Sequence, residues 1–128
     1  MGHIAGSEHD VRALVPAAAE AYRFARDNML RGGLVDPELK DLCFHFLADD
    51  PAATDISRYE GRELLALRWA HAIAWDSSLA DDELWEALHA EFSEPELVEL
   101  GCAIGYELGQ QHWRRTIGLP ARDQDLTP

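Results

Sequence analysis

Apolar residues recur at helical spacing in five segments of the chain, and no segment shows the strict alternation that is typical of a strand. In the third segment, Leu64, Leu67 and Ile73 belong to a wide apolar face, which predicts a largely buried helix. In the fourth, Leu84 and Leu88 follow each other at an interval of four and form the narrower stripe of a peripheral helix. The pattern therefore predicts an all-α fold, a compact bundle of about five helices.

Capping and helix-breaking residues set the bounds of these helices. Proline suits the first turn of a helix and glycine its end, while the pattern S-x-x-E favours a capping box at the start. Such patterns precede the third helix at Ser57–Glu60 and the fifth at Ser93–Glu96. From these signals we expect helices over residues 16–31, 37–50, 61–75, 83–92 and 93–117.

Size and composition predict one globular domain. The chain has 128 residues, of which 47% are hydrophobic, and a chain of this size can bury a core without disulfide or metal staples. No linker rich in glycine, serine or proline divides it. We therefore expect a single domain over residues 1–128, with loose termini at 1–9 and 121–128.

The charge of the chain disfavours two classes of partner. A formal net charge of -13 repels phosphate backbones and anionic lipid surfaces. The longest apolar runs are far shorter than the ~20 residues of a membrane span, and the first residues lack the basic start and apolar core of a signal peptide. We therefore expect a cytoplasmic protein whose partners include neither nucleic acid nor membrane.

Three glycines mark the fifth predicted helix. Gly101, Gly105 and Gly109 are four residues apart and share one stripe of that helix. Each glycine costs a helix interior up to ~1 kcal/mol relative to alanine. The stripe therefore predicts either close helix contact or room for a ligand, and a polar and aromatic cluster at residues 111–113 follows one turn beyond it.

Three side chains are candidates for acid or base chemistry, and each has a structural alternative. His112 lies near the glycine stripe and can exchange protons near neutral pH, or it is a solvated histidine at a helix end. His71, on the most apolar helix, is either a core or interface histidine or a catalytic one. Glu107 is either a solvated or arginine-paired carboxylate or a buried general base.

The two cysteines predict no redox centre. Cys43 and Cys102 form no CxxC pair and lie in apolar helical segments, where a buried structural thiol is usual. His45 follows Cys43 by two residues, but side chains two apart on a helix point in different directions. The sequence also lacks zinc-type spacing, a phosphate loop and a dinucleotide fingerprint, so we expect neither a metal nor another cofactor.

The order of four segments resembles the carboxymuconolactone decarboxylase family, which also contains enzymes of the alkylhydroperoxidase D type. These segments are Leu30–Leu42 (LRGGLVDPELKDL), Arg62–Ala74 (RELLALRWAHAIA), Asp82–Phe92 and Phe92–Pro120. The resemblance implies an all-helical, alkylhydroperoxidase D-like fold that forms a homo-oligomer through its helix faces, as a dimer, trimer or hexamer. It also implies small-molecule sites in pockets between helices or subunits.

The chain departs from the family pattern at two places. Members with thiol chemistry carry E-x-x-C-x-x-C-x-x-x-H on a helix that is here replaced by the short connection Asp49–Asp55. A peroxidase mechanism is therefore disfavoured. Where many relatives have Asn-Arg-Phe near the end of the last helix, this chain has Gln111-His112-Trp113, which exchanges a permanent cation for a titratable imidazole.

The resemblance and the residues together predict a lyase or decarboxylase type of enzyme that acts on a small organic substrate by cofactor-free acid or base chemistry. His112 is the expected catalytic acid or base, and Glu107 or His71 would orient it. Gln111 would donate a hydrogen bond to a developing oxyanion. The expected substrate-binding residues, in a pocket beside the glycine stripe, are Gln111, Trp113, Tyr106, Trp69, Gly105 and Gly109.

Two alternatives stay open at this point. In the first, the protein is a non-catalytic oligomeric module that uses its helix faces for assembly or for holding a small ligand, and the glycines serve only close helix approach. In the second, a residual thiol enzyme of the peroxidase type uses Cys43 with His45.

Overall fold

The structure is a computed structural model that describes residues 3–49 and 54–122, and within these ranges it is helical with no strand. Its α-helices are α1 (Glu8–Ala13), α2 (Pro16–Ala25), α3 (Pro37–Ala48), α4 (Gly61–Trp75), α5 (Asp82–Glu91) and α6 (Glu94–Thr116). A π-helical turn, Arg26–Leu30, continues α2, and 3-10 turns lie at Ile56–Arg58 and Ser77–Leu79. The prediction of an all-α fold is thus confirmed, with six α-helices in the described residues where about five were expected.

The helix starts show which capping signals hold. At α6, the Ser93 side chain accepts from the Glu96 N–H, and the Glu96 side chain accepts from the Ser93 N–H, so this predicted capping box is confirmed. The box predicted at Ser57 is wrong, because that serine bonds to Asp55 inside a 3-10 turn. Helix α4 instead begins at Gly61 without a side-chain cap.

The sequence pattern missed helix α1. Ser7 and Asp10 form a capping box at its start, but the helix is only six residues long and too short for an apolar period. The structure therefore places Glu8 and His9 in a helix, although residues 1–9 were expected to be loose, and the His3 N–H donates to the Ile117 carbonyl at 2.7 Å. The described ranges leave out residues 1–2, 50–53 and 123–128. Most of the predicted connection at residues 49–55 and the predicted end of the second helix therefore lie outside them.

The main apolar core lies where α3, α4 and α6 pack against one another. Leu67 of α4 and Leu100 of α6 are fully buried there, and Leu88 brings α5 against the same core. Trp69 packs edge-to-face on Trp85 with 5.3 Å between the ring centroids. Burial of these large side chains is the main source of the fold's stability.

A buried ion pair ties α3 to α6 and to the loop before α3. The Lys40 ammonium is fully buried, 3.1 Å from a carboxylate oxygen of Glu99, and also donates to the carbonyls of Met29 and Gly32. The same carboxylate of Glu99 accepts from the backbone N–H groups of Leu34 and Val35. A charge that is buried in this way is stable only with such a complete set of partners.

Among the residues described, no helix has both the length and the apolar character that crossing a bilayer requires.

Candidate functional site

A pocket with a volume of about 520 Å³ opens between the end of α2, the π-helical turn, α3 and α6. This volume suits a small organic molecule. The pocket is lined by Tyr22, Arg26, Leu30, Arg31, Pro37, Glu38, Asp41, Phe44, Glu107 and Arg122. The cavity is therefore lined by both apolar and charged side chains, so a ligand with an apolar body and a polar group would fit.

Glu107 is the most deeply buried charged group in the lining of this pocket. It lies in the middle of α6 and is only 4% exposed. Its Oε1 accepts from Arg114 Nη1 at 3.1 Å, and its Oε2 lies 3.5 Å from Gln111 Nε2. The carboxylate is therefore held in one orientation by two side chains of its own helix while it still reaches the pocket.

Arg114 connects this carboxylate to three other parts of the chain. Its guanidinium is fully buried and donates from Nε to Glu8 of α1, from Nη2 to the hydroxyl of Tyr22 of α2, and from Nη1 to the Ala121 carbonyl as well as to Glu107. Each of these distances is between 3.0 and 3.1 Å. The planar fork of arginine fits such a set of partners, and a lysine would not.

The charges around Arg114 strengthen its protonated form. Burial alone would lower the pKa of the guanidinium, but the attraction of Glu107 and Glu8 outweighs it and raises the pKa above its ordinary value. Arg114 is therefore a permanent positive charge directly behind the pocket.

Gln111 lies behind Glu107, one turn further along α6. Its side chain is fully buried, and Nε2 donates to the Phe44 carbonyl of α3 at 3.0 Å. No group in the described ranges donates to its Oε1. The amide therefore fixes α6 against α3 beside the pocket and leaves one acceptor unused.

A second arginine, Arg12 of α1, shares the partners Glu8 and Tyr22 with Arg114. Arg12 of α1 pairs with Glu8, donates to Gln110 at 2.7 Å, and stacks over the ring of Tyr22 at 3.5 Å. It also lies over the ring of Trp113 at 4.9 Å. Positive charge on an aromatic face is favourable, so these contacts hold α1 on α2 and α6.

The rim of the pocket carries three arginines. Arg26 and Arg31 come from the π-helical turn and the residue after it, and Arg122 from the segment after α6. Arg122 pairs with Asp41 at 2.5 Å, and Arg26 with Asp27 at 3.0 Å. The lining therefore holds three guanidinium groups and three carboxylates, those of Glu38, Asp41 and Glu107, in a chain with 24 acidic and only 11 basic residues.

The structure brings together some of the predicted site residues and separates others. Glu107 and Gln111 are neighbours, and Tyr106 stacks on Tyr22, with 6.5 Å between the ring centroids, next to the same pocket. Burial raises the pKa of the Tyr106 hydroxyl. Trp113 lies under the guanidinium of Arg12 and does not line this pocket.

The remaining predicted site residues lie elsewhere. His112 is exposed on α6, and no hydrogen bond or ion pair given for the described residues involves it. His71 is half-buried and packs edge-on against Trp75 with 5.2 Å between ring centroids. Trp69 belongs to the core at α5. Neither His71 nor His112 lines the pocket that contains Glu107.

The glycine stripe has two different environments. A Cβ atom at Gly101 would lie 2.8 Å from the ring of Trp69, so this glycine serves the close approach of α4 to α6. A Cβ atom at Gly105 or Gly109 would meet nothing within 4 Å, and both residues are exposed. The predicted pocket beside Gly105 and Gly109 is therefore open space in this structure, and the pocket at Glu107 lies on another face of α6.

The cysteines and their surroundings offer no paired thiol chemistry. Cys43 is fully buried, and burial raises the pKa of its thiol to about 12. His45 is exposed and lies 3.4 Å from Asp41 of the same helix. Cys102 is exposed on α6. Within the described ranges, no cluster of histidine, cysteine, aspartate and glutamate has the arrangement of a metal site.

The sequence interpretation missed Arg114, Tyr22 and the pair in α1. An arginine-paired Glu107 was one of the alternatives, and the seven-residue spacing to Arg114, two turns of a helix, was the available signal. Glu8 and Arg114, in contrast, are 106 residues apart, and no local pattern joins them.

Comparison of the chain with protein-family models, with curated proteins and with solved structures finds no match.

Proposed function

We propose that the protein is a cofactor-free enzyme of the carboxymuconolactone decarboxylase type, a lyase or decarboxylase that acts on a small organic acid bound in the pocket at Glu107. The observation that carries the proposal is the position of Glu107, a carboxylate that is only 4% exposed and yet lines a cavity of about 520 Å³. Carboxylates in such sites are common general bases.

Glu107 is the proposed proton acceptor. In proton abstraction, a C–H bond next to a substrate carbonyl breaks, the proton moves to a Glu107 oxygen, and the electron pair is delocalised onto the carbonyl oxygen as an enolate. In decarboxylation, the bond to the carboxylate carbon breaks instead and carbon dioxide leaves. The electron pair of that bond is delocalised onto the carbonyl oxygen as an enolate, and a proton from solvent water, passed on by Glu107, then adds to the carbon. Arg114 and Gln111 hold the carboxylate for either step, because both contact its oxygens.

The arginines of the rim are the proposed recognition groups for the acid. Arg26 and Arg31 on one side and Arg122 on the other would attract a substrate carboxylate, and Arg122 would exchange part of its contact with Asp41 for it. The apolar side chains of Leu30 and Phe44 would contact the carbon skeleton of the substrate.

The test is turnover of a panel of small 3-oxo acids and unsaturated lactone acids, followed by proton NMR in deuterated water. Exchange of a carbon-bound proton or loss of carbon dioxide is the expected activity. Replacing Glu107 with Gln keeps the shape of the side chain and should lower the rate at least about a hundredfold. Glu20→Gln, a matched change on the exposed side of α2, should leave the rate unchanged. Full activity of the Glu107→Gln variant would overturn the proposed role.

A second candidate function is assembly of copies of this chain through α6. Its support is the open stripe at Gly105 and Gly109, together with the 66% exposed Val98 on the same helix. Sedimentation velocity tests it: Val98→Glu should dissociate the oligomer, while Phe24→Glu, at an apolar side chain that is equally exposed on α2, should not. A wild-type protein that sediments as a monomer would remove this candidate.

A further inference from the structure

Helix α1 is attached to the protein differently from the other α-helices. Each of α2 to α6 contributes at least one side chain to the main apolar cluster, and α1 contributes none. Its buried apolar residue, Val11, lies outside that cluster, and Leu14, which follows the helix, is 70% exposed. The hydrophobic effect therefore contributes to the docking of α1 through Val11 and not through the main core.

Polar contacts take its place. Glu8 bridges two arginines, since its Oε1 accepts from Arg114 at 3.0 Å and its Oε2 from Arg12. Arg12 then bonds to Gln110 and stacks on Tyr22. These ionic contacts are largely buried, so removal of Glu8 would leave the two guanidinium groups without their carboxylate partner.

Of the two groups under α1, Tyr22 lines the pocket, and Arg114 is connected to it through its hydrogen bonds to Glu107 and Tyr22. Arg114 is fully buried, and Tyr22 is 7% exposed and lines the pocket. A smaller cleft of about 40 Å³ on the α1 side is lined by Glu8, Arg12, Tyr22 and Arg26, among others, and it shares Tyr22 and Arg26 with the larger pocket. One wall of side chains therefore separates the two cavities, and α1 covers that wall from outside.

We propose that residues 7–14 form a strap, latched by Glu8, that closes the back of the pocket and can open while the rest of the bundle stays folded. Release of Glu8 uncovers Arg114 and the outer face of Tyr22, and it gives an anionic ligand a second approach to the pocket. The inference rests on the proposed function only in that this pocket is the ligand site. Local opening of a segment that lies outside the main core, at a cost below the free energy of global unfolding, is a general property of proteins.

Two measurements on the full-length chain test the strap. Phenylglyoxal reacts with accessible guanidinium groups, and peptide mass spectrometry gives the rate at Arg114. Hydrogen exchange gives the opening of α1, read at the N–H groups of Val11 and Val15, which bond to carbonyls of Ser7 and Arg12. Leu67, in the core of α4, is the reference for global unfolding.

The latch variant is Glu8→Gln, and Glu20→Gln is the control with the same change in charge. Because a charge-assisted bond is lost, Glu8→Gln should raise the rate of Arg114 modification and of exchange in α1 about tenfold. Hydrogen exchange at Leu67 should stay at its wild-type rate in Glu8→Gln. In Glu20→Gln, both the modification of Arg114 and the exchange in α1 should proceed at their wild-type rates. An unchanged rate at Arg114 in Glu8→Gln, or equal acceleration at Leu67 and Val11, would overturn the strap.

The wild-type protein serves if Glu8→Gln does not fold. If α1 opens while the rest of the bundle stays folded, hydrogen exchange at Val11 should be faster than exchange at Leu67. Equal protection of Val11 and Leu67 would reject the strap. These measurements need no substrate, so their outcome is independent of the test of the proposed function. If Glu107→Gln is fully active, the proposed catalytic role is wrong but the strap can still be observed. If Glu107→Gln is inactive, the strap can still be rejected.

Discussion

Arg114 and Glu107 form a buried ion pair within α6, with 3.1 Å between Nη1 and Oε1. A pair inside one helix does not by itself join helices. Its structural effect comes from the other donors of the guanidinium, which reach Glu8 in α1, Tyr22 in α2 and Ala121 after α6. The carboxylate of the proposed site is therefore connected, through one side chain, to both ends of the described chain.

Removal of that guanidinium should strongly destabilise the folded protein. Arg114→Met leaves Glu107 buried without its cation, so we expect a loss of about 3–5 kcal/mol in the free energy of unfolding, measured by urea denaturation. Arg115→Met is the matched control, because Arg115 is exposed and donates only to the Ala48 carbonyl among the contacts described. It should cost less than about 1 kcal/mol. Equal losses for the two variants would contradict the role of the buried pair.

Glu99 should make the stability of the protein depend on pH in the acidic range. Burial would raise the pKa of its carboxyl, but the N–H groups of Val35 and Leu34 and the ammonium of Lys40 outweigh this and lower the pKa below its ordinary value of 4.5. Because the folded pKa lies below the unfolded one, the stabilisation is present above about pH 4.5 and is lost as the pH falls through the folded value.

Thermal unfolding between about pH 3 and pH 7 measures this effect. Glu99→Gln should be less stable than the wild type at neutral pH, and the difference should shrink as the solution becomes acidic. Glu83→Gln, at an exposed position of α5, is the control and should follow the wild-type curve. A constant gap between Glu99→Gln and wild type over the whole range would count against the prediction.

Cys43 should make the stability of the protein depend on pH in the alkaline range. Burial raises the pKa of its thiol from 9.0 to about 12, so the folded protein keeps the proton that the unfolded chain releases above pH 9.0. The stabilisation of the neutral thiol is complete below pH 9.0 and is lost as the pH rises towards 12, at about 1.4 kcal/mol per pH unit. Cys43→Ala should therefore lose stability less steeply above pH 9.0 than the wild type, while Cys102→Ala should keep the wild-type slope.

Alkylation of the two cysteines tests the alternative of a residual thiol enzyme. A neutral, buried thiol reacts slowly with iodoacetamide, so Cys102 should be alkylated first and Cys43 only on unfolding. Rapid alkylation of Cys43 in the folded protein would revive the residual thiol enzyme as an alternative.

The helices could be predicted from the sequence because their signals are local. Ser93 and Glu96 are three residues apart, and their capping box fixes the start of α6. Helix α1 carries a box of the same kind at Ser7, but its six residues are too few for an apolar period, and its ionic contacts reach residues that are distant in sequence. The pattern of apolar residues therefore does not predict a helix that is as short as α1 and is held by ionic contacts.

The candidate site could be predicted only in part, for the same physical reason. Glu107 and Gln111 are one turn apart on α6, so a sequence interpretation finds them together. The partners that enclose Glu107 come from distant parts of the chain, since Tyr22 is 92 residues from Arg114. The weight placed on His112 followed from its neighbours in sequence, although the helix turns it to solvent and turns Glu107 inward.

The glycine stripe supplies the last prediction, since its members have opposite environments. At Gly105 an added methyl group meets nothing within 4 Å, so Gly105→Ala should raise the free energy of unfolding by up to ~1 kcal/mol through helix propensity alone. At Gly101 the methyl group would lie 2.8 Å from the buried ring of Trp69, and the overpacking should cost about 1–3 kcal/mol. Urea denaturation of the two variants measures the difference.

The masses of the wild type and of Gly105→Ala in solution show whether the exposed face at Gly105 is free or forms a contact between copies of the chain. If α6 is free, Gly105→Ala gains stability and sediments like the wild type. If copies of the chain assemble through α6, the methyl group at Gly105 enters the contact between them, and the variant should dissociate at protein concentrations where the wild type stays associated. Loss of stability in Gly105→Ala without any change in mass would contradict both outcomes, because it would require a contact at Gly105 within one chain.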